Sequence, residues 1–389
     1  MRQYEKTHPW ITFQIDLRDV SYSLWMKLGE CTSKIEHISR VPLVHDSSEE
    51  LYKVYLAKGV HATTAIEGNT LTEEDVLRHI DGELELPPSR EYLAQEVDNI
   101  IRAINATIEG MREGSVEPLD ITWIRGINRA VLDKLEQQEG SVPGAIRTHS
   151  VGVGRRYRGA PPEDCEYLLE RLCQWLKDEV DVPKGEEIAL AIIKAVIAHL
   201  YVAWIHPFGD GNGRTARLLE LAVLLGAGIP VPACHLLSSH YSATRAEYAR
   251  QLARTGQSGG EVVPFLYYAV QGFLDGLNGQ LDMIWKQHLD IIWQHHIFQH
   301  FPKQDKVAGQ RRRDLLLELS TSDQGVDPLT LMMTSGRLGD SYKEKPWIVM
   351  KDLQWLTENG WISNEGNTYV ANKETMLNLR PFRVPLGGR

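Results

Sequence analysis

The sequence predicts an all-α core carrying one small β-hairpin flap, followed by a C-terminal winged helix-turn-helix-like domain. Three observations predict it. Apolar residues recur at three- and four-residue spacing through most of the stretch from Leu51 to Trp293. A segment rich in Gly, Pro and Arg, with short alternating runs, interrupts that pattern between Gly140 and Pro162. The charge balance then changes near residue 300: residues 300–389 hold 13 Lys/Arg against 11 Asp/Glu, whereas the whole chain is acidic at -10.

The 389 residues exceed what one compact core usually holds, and 42% hydrophobic with 24% charged residues is the balance of a globular protein. Three regions are expected: an N-terminal helical region over 1–110, a core over 111–299 and the C-terminal domain over 300–389. The net negative charge argues against non-specific binding to nucleic acid or anionic membranes. Cys31, Cys165, Cys173 and Cys234 show no C-x-x-C spacing, and Cys165 and Cys173 on one helix stand about 12 Å apart, too far for a bridge. Reduced thiols and an N-terminus, MRQYEKTHPW, without a signal-peptide pattern lead to a cytoplasmic expectation.

In chain order, an apolar stretch from Pro9 to Ile15 is expected to pack on the core. Helical periodicity follows from Leu51 to Thr107, with Thr72-Glu73-Glu74-Asp75 as a helix start and Pro87-Pro88 as a break before a helix from Glu91 to Ile108. A helix from Ile121 to Leu135 precedes the hairpin at Ser150-Val151-Gly152-Val153, and helices resume at Glu163. The apolar run from Ile188 to Ile205 is about long enough to span a bilayer, but Lys194 and His199 interrupt it, so it reads as a buried central helix. A Gly-rich turn leads to a helix from Arg214 to Leu225, and periodicity continues through Ala243–Leu252 and Val262–Trp293. The C-terminal domain is read as helices at Arg312–Leu319, Pro328–Thr334 and Pro346–Asn359, then a hairpin turning at Gly366-Asn367.

The turn after the central helix carries the chemistry: His206-Pro207-Phe208-Gly209-Asp210-Gly211-Asn212-Gly213-Arg214-Thr215-Ala216-Arg217. Gly211 and Gly213 let the backbone approach a ligand, and the next helix opens with free N–H groups and the positive end of its dipole. Arg214 and Arg217 lie three apart, so their guanidinium groups can converge on adjacent phosphates. Arginine opposes the dipole at a helix N-terminus, which signals an anion there. Asp210 beside bound phosphates suits Mg²⁺, and His206 suits a base that takes a proton from an attacking hydroxyl. Taken singly, each feature is an ordinary helix-end His, turn or solvated Arg pair; their union within 12 residues points to a phosphate-handling site.

This run resembles the Fic family signature, His-Pro-Phe-x-Asp/Glu-Gly-Asn-Gly-Arg-x-x-Arg, at every defined position. The resemblance implies an all-helical core and transfer of AMP from Mg-ATP to a Ser, Thr or Tyr hydroxyl of a protein. It implies His206 as base, Asp210 as Mg²⁺ ligand, Gly211, Asn212 and Gly213 as phosphate cradle, and Arg214 and Arg217 as β/γ-phosphate ligands. Relatives that transfer phosphate carry Lys where Gly213 stands, so AMP is favoured. The hairpin resembles the family's target-docking flap through Gly144, Arg147, Val151 and Gly154, a strand-addition surface. The segment from Leu237 to Tyr248 is similar to the one that lines the base pocket, which nominates Tyr241 and Tyr248. Upstream, Thr63, Glu67 and Gly68 match the inhibitory motif Ser/Thr-x-x-x-Glu-Gly/Asn, implying that Glu67 pairs with Arg217 and autoinhibits the enzyme. The resemblance covers about residues 50–389. A de-AMPylating hydrolase, with Glu67 orienting water, and a DNA-binding regulator with a sensor domain remain as alternatives. The candidate recognition helix, from Pro346 to Leu356, holds one Lys and one Asp among apolar groups, which favours protein docking over DNA. ATP and a protein target, which includes the chain itself through self-modification, are the expected partners, with no membrane.

Overall fold

The structure is a computed structural model and describes residues 2–15, 20–41, 45–137, 139–153, 157–179, 185–302, 306–322, 325–333 and 337–377. In it the chain divides into two compact units, Met1–Leu281 and Asp282–Arg389.

In the first unit a short helix α1 (Tyr4–Thr7) is followed by α2 (Tyr22–Arg40), α3 (His45–Ile66), α4 (Glu73–Ile80), α5 (Glu91–Arg112) and α6 (Ile121–Val131). Local chemistry explains the boundaries. Thr72 caps α4 through a reciprocal box, its hydroxyl accepting from Asp75 N at 3.1 Å while Asp75 Oδ2 accepts from Thr72 N at 2.9 Å. Pro87 holds the chain extended before a 3₁₀ turn (Pro88–Arg90) that leads into α5. Asp120 caps α6 by accepting from Trp123 N at 2.9 Å.

The predicted hairpin is present as β1 (Gly152–Val153) and β2 (Tyr157–Arg158), paired antiparallel. Then come α7 (Pro162–Gln174), α8 (Glu187–Ile205), α9 (Asn212–Gly226), α10 (Val231–Cys234), α11 (Leu236–Ala243), α12 (Arg245–Gln257) and α13 (Val263–His300). The apolar α8 is the one helix among the described residues long and apolar enough to cross a membrane, and 83% of that window is buried in the protein. It is a core helix, packed against α9, α7 and α2. Cys165 and Cys173 both lie on α7, and all four cysteines are free and buried.

Residues 1–110 do not stand as a separate body. Helix α3 packs on α4, α5, α9 and α11, so the end of α3 arrives beside the start of α9.

The second unit holds α14 (Val307–Leu319), α15 (Pro328–Met333), α16 (Arg337–Glu344), α17 (Trp347–Glu358) and an antiparallel hairpin, β3 (Ile362–Glu365) with β4 (Thr368–Ala371). The hairpin turns where Gly366-Asn367 predicts. Helix α16 was not predicted: its eight residues bury Leu338 and Tyr342, too few apolar positions for a visible period. The division between the units falls after Leu281, not at the expected 299/300 boundary. Composition reports surface charge, whereas Trp293, Ile297 and Phe301 already belong to the core formed with Leu315, Leu319, Leu353 and Ile362. On α17, Asp352 is fully buried and paired with Arg311 and with Arg312 at 3.1 Å, while Trp347 and Met350 are exposed.

Candidate active site

Helix α8 ends at His206, a non-glycine residue in the left-handed region at φ 51° and ψ 58°. Such a conformation costs about 1–3 kcal/mol and persists only where its surroundings impose it. Arg147 is the imposing group. Its Nε donates to His206 O at 2.7 Å, Nη1 to His149 O at 2.6 Å, and Nη2 to the carbonyls of Ala160 and Ile205. Its backbone joins in, with Arg147 N donating to Pro207 O at 3.0 Å beside an isolated bridge between Ile146 and Phe208. Arg147 is therefore buried and saturated by carbonyls, and it corrects the reading of that residue as a target-docking group. Val151 lies on the flap, where its carbonyl accepts from Gly159 N at 3.1 Å; Gly154 lies outside the described residues.

His206 keeps a half-buried imidazole at the cavity wall. Burial, reinforced by the Arg147 charge, pushes its pKa down to about 4, against the opposing pull of Glu67 and Asp210. The imidazole is thus neutral at neutral pH, the form that accepts a proton.

Helix α9 begins immediately beyond, with Gly211 at φ 73° as its N-cap. The Asn212 side chain turns back on the loop: its Oδ1 accepts from Phe208 N at 2.9 Å and its Nδ2 donates to Phe208 O at 2.8 Å. That side chain braces the loop from which the expected cradle is built. The orphan N–H groups of the first α9 turn remain the anion donors.

Glu67 sits in that mouth. Its Oε1 accepts from Arg217 Nη2 at 2.6 Å, and a Cβ placed on Gly213 would lie 2.2 Å from the same oxygen. Only glycine allows this approach. Arg217 also donates through Nε to Thr63 Oγ1 at 2.7 Å and through Nη2 to Thr63 O at 3.0 Å. The predicted Glu67–Arg217 pair is present through one carboxylate oxygen, not as a two-oxygen fork. Burial opposes ionisation of Glu67, yet the Arg217 guanidinium outweighs it and holds the carboxyl below its usual range. Gly68 follows in the left-handed region at φ 107°, turning the chain off the end of α3. Arg214 is buried, with Nη1 3.5 Å from Glu96 Oε1 and Nη2 3.7 Å from Asp210 Oδ1; its Nε and Nη1 make no hydrogen bond among the described residues.

Glu67, His206, Gly213, Arg217, Tyr157 and Tyr248 border one cavity of about 500 Å³, whereas Asp210 and Arg214 line a separate one of about 300 Å³ with Glu96. Tyr248 lines it as predicted. Tyr241 does not: it is fully buried behind Tyr248, ring centroids 4.7 Å apart, and donates to Glu220 Oε1 at 2.8 Å.

Residues 118–224, which contain α6, the flap and the helix–loop–helix just described, match the Fic/DOC family. Over that segment the chain is similar to Fic/DOC proteins. It is 30% identical over 245 residues to protein adenylyltransferase fic-1 of Caenorhabditis briggsae, covering 61% of this chain and 43% of that protein. It is 29% identical over 215 residues to protein adenylyltransferase Fic of Nematostella vectensis, covering 54% of this chain and 45% of that one. The match thus spans less than half the length of these relatives. Among solved structures, a Fic family protein from Desulfovibrio desulfuricans G20 aligns with TM-score 0.55 at 18% identity, over 89% of this chain and 95% of that one. Fic-1 of C. elegans aligns with TM-score 0.55 at 23% identity, over 68% and 74%. At these identities the structural likeness establishes the fold.

Two residues of the site escaped sequence reasoning. Asn128 of α6, fully buried, donates to Asp210 O at 2.9 Å and accepts from Gly144 N at 2.9 Å, so it ties the flap's base to the loop. Tyr157 of β2 lines the cavity and donates to Trp204 O at 2.7 Å. A buried Asn in an amphipathic helix was the available signal for the first; nothing in the local pattern marks the second.

Proposed function

We propose that this protein is an adenylyltransferase that moves AMP from Mg-ATP to a hydroxyl of a protein and is held inactive at rest by Glu67. The observation that carries this reading is the single cavity where a neutral His206, the N-terminus of α9 and Arg217 meet. The hydroxyl oxygen attacks the α-phosphorus, the bond from that phosphorus to the β-bridging oxygen breaks, and pyrophosphate leaves. His206 takes the hydroxyl proton. The α9 amides, Arg214 and Arg217 hold the phosphate charge, so catalysis is mainly positioning and charge stabilisation.

Mg²⁺ fits the donor chemistry of Asp210. That carboxylate is partly exposed, and its Oδ1 accepts from Gly211 N at 2.6 Å. No cluster of three metal-ligating side chains occurs among the described residues, and a single carboxylate suits a hard ion that draws its other ligands from phosphates and water. When bound, the ion would neutralise phosphate charge. The two relatives named above, both protein adenylyltransferases, support the same reaction.

Labelled ATP tests the reaction class. Incubation with a protein mixture should transfer label from the α-phosphate and not from the γ-phosphate, and His206→Ala should abolish it. Label from the γ-phosphate alone would make the enzyme a phosphotransferase instead.

A further inference from the structure

Behind the cavity lies a set of polar groups that the proposed chemistry does not use. Glu220, one turn beyond Arg217 on α9, is 1% exposed. Its Oε1 accepts from the Tyr241 hydroxyl at 2.8 Å, and its Oε2 faces His199 Nδ1 at 3.4 Å. Neither of the latter two atoms has a hydrogen-bond partner among the described residues, so each is the other's available neighbour. His199, fully buried on α8, meets the Tyr248 hydroxyl through Nε2 at 2.8 Å, and that hydroxyl also meets the Arg217 guanidinium.

One proton order makes every contact in this row complementary. A guanidinium only donates, so the Tyr248 oxygen serves as acceptor on the Arg217 side and its own proton turns to His199 Nε2. Nε2 is then unprotonated, and the imidazole proton sits on Nδ1, aimed at Glu220. A carboxylate at one end and a guanidinium at the other thus flank His199 and Tyr248 in one row of polar contacts, in which the 2.8 Å His199–Tyr248 contact is a hydrogen bond and the 3.4 Å Glu220–His199 contact brings the carboxylate against the imidazole.

This chain answers a charge problem at Arg217, which is 2% exposed. An arginine that exchanges one anionic partner for another would stand buried and uncompensated between the two, a costly state. We infer that Glu220, acting through His199 and Tyr248, is the standing counter-charge of Arg217, keeping it in place while Glu67 is exchanged for phosphate. The inference rests on the proposed function in one respect, the reading of Glu67 as the exchangeable partner. Tyr241 takes part as the donor that fixes the other Glu220 oxygen. Glu220, His199 and Tyr248 are in this sense positioning residues.

A double-mutant cycle on stability tests it without nucleotide. Denaturant midpoints are measured for the full chain, for Glu67→Gly, for the isosteric Glu220→Gln and for the pair. The double variant should lose clearly more than the two single losses combined, because Arg217 then lacks both counter-charges, and adding Arg217→Met should restore part of that loss. Additive losses would overturn the inference. If Glu220→Gln does not give folded protein, Tyr248→Phe, which keeps the ring and breaks the chain, takes its place with the same two readings. In ¹⁵N-histidine spectra, assigned by loss of the His199→Gln signal, His199 should carry its proton on Nδ1; a proton on Nε2 would also overturn it. Neither measurement uses ATP, so absence of AMP transfer would count against the proposed function and leave these results standing.

Discussion

Arg147 and His206 show at the scale of single residues how a reactive group is held in a conformation it would not choose. The Arg147 fork collects carbonyls from both sides of the loop, and His206 takes its left-handed backbone in consequence. Arg147→Met should leave several of these carbonyls unsatisfied and cost at least about 3 kcal/mol in urea unfolding, since each unsatisfied buried group costs about 1–3 kcal/mol. Transfer should be lost with it; a variant of full stability and activity would remove the clamp from the account. His206 in the nucleotide-free protein should stay neutral until about pH 4, since burial and Arg147 both disfavour the imidazolium. An NMR titration checks the sign: the ordinary midpoint of 6.5 would contradict it. On the proposed function, in which the imidazole acts on the hydroxyl and other groups hold the phosphates, His206→Ala should abolish transfer and spare ATP binding; calorimetry separates the two. His206, Asp210, Arg214 and Arg217 were legible because they are neighbours in the chain. Asn128, Tyr157, His199 and Glu220 were not, because their roles are contacts that exist only after α6, the flap, α8 and α9 have packed.

Among the elements, those with strong local signals came out as read. Thr72 through Asp75 form the capping box of α4, Pro87 sets the start of α5, and the Gly366-Asn367 turn joins β3 to β4. Thr72→Ala should cost about 1 kcal/mol, the usual value for a lost N-cap, measured as a shift in denaturant midpoint with no change in transfer rate. Where the local signal was thin, the reading failed. Helix α16 has two buried apolar residues four apart, and Tyr241 in α11 carries the same residue type as Tyr248 while folding turns it away from the cavity. Asn212 was read as part of the cradle, and the loop uses both ends of its amide to hold its own shape. Residue type was readable in each case; direction was not.

Over the whole molecule, the sequence shows a break in composition but not where the cores divide, since Trp293, Ile297 and Phe301 are apolar residues on a helix that continues from the first unit's sequence into the second's. In the second unit α17 exposes Trp347 and Met350 and buries Asp352, a surface poor in groups that read base edges. The full chain should accordingly give no salt-resistant complex with random duplex in a gel shift; a retained complex at physiological salt would favour a DNA-binding role. The longest-range claim joins residues 150 apart in sequence, Glu67 and Arg217. The carboxylate sits at the start of α9 and engages one Arg217 donor; on the proposed function a phosphate takes that place, so removing the carboxylate should admit ATP in a productive pose. The most direct test is incorporation of α-labelled AMP by wild type, Glu67→Gly and Glu67→Gly with His206→Ala. If Glu67 holds the protein inactive, labelling should rise at least about tenfold in Glu67→Gly, equivalent to ~1.4 kcal/mol of relieved competition, and not at all in the double variant; labelling by Glu67→Gly no greater than wild type would contradict that role.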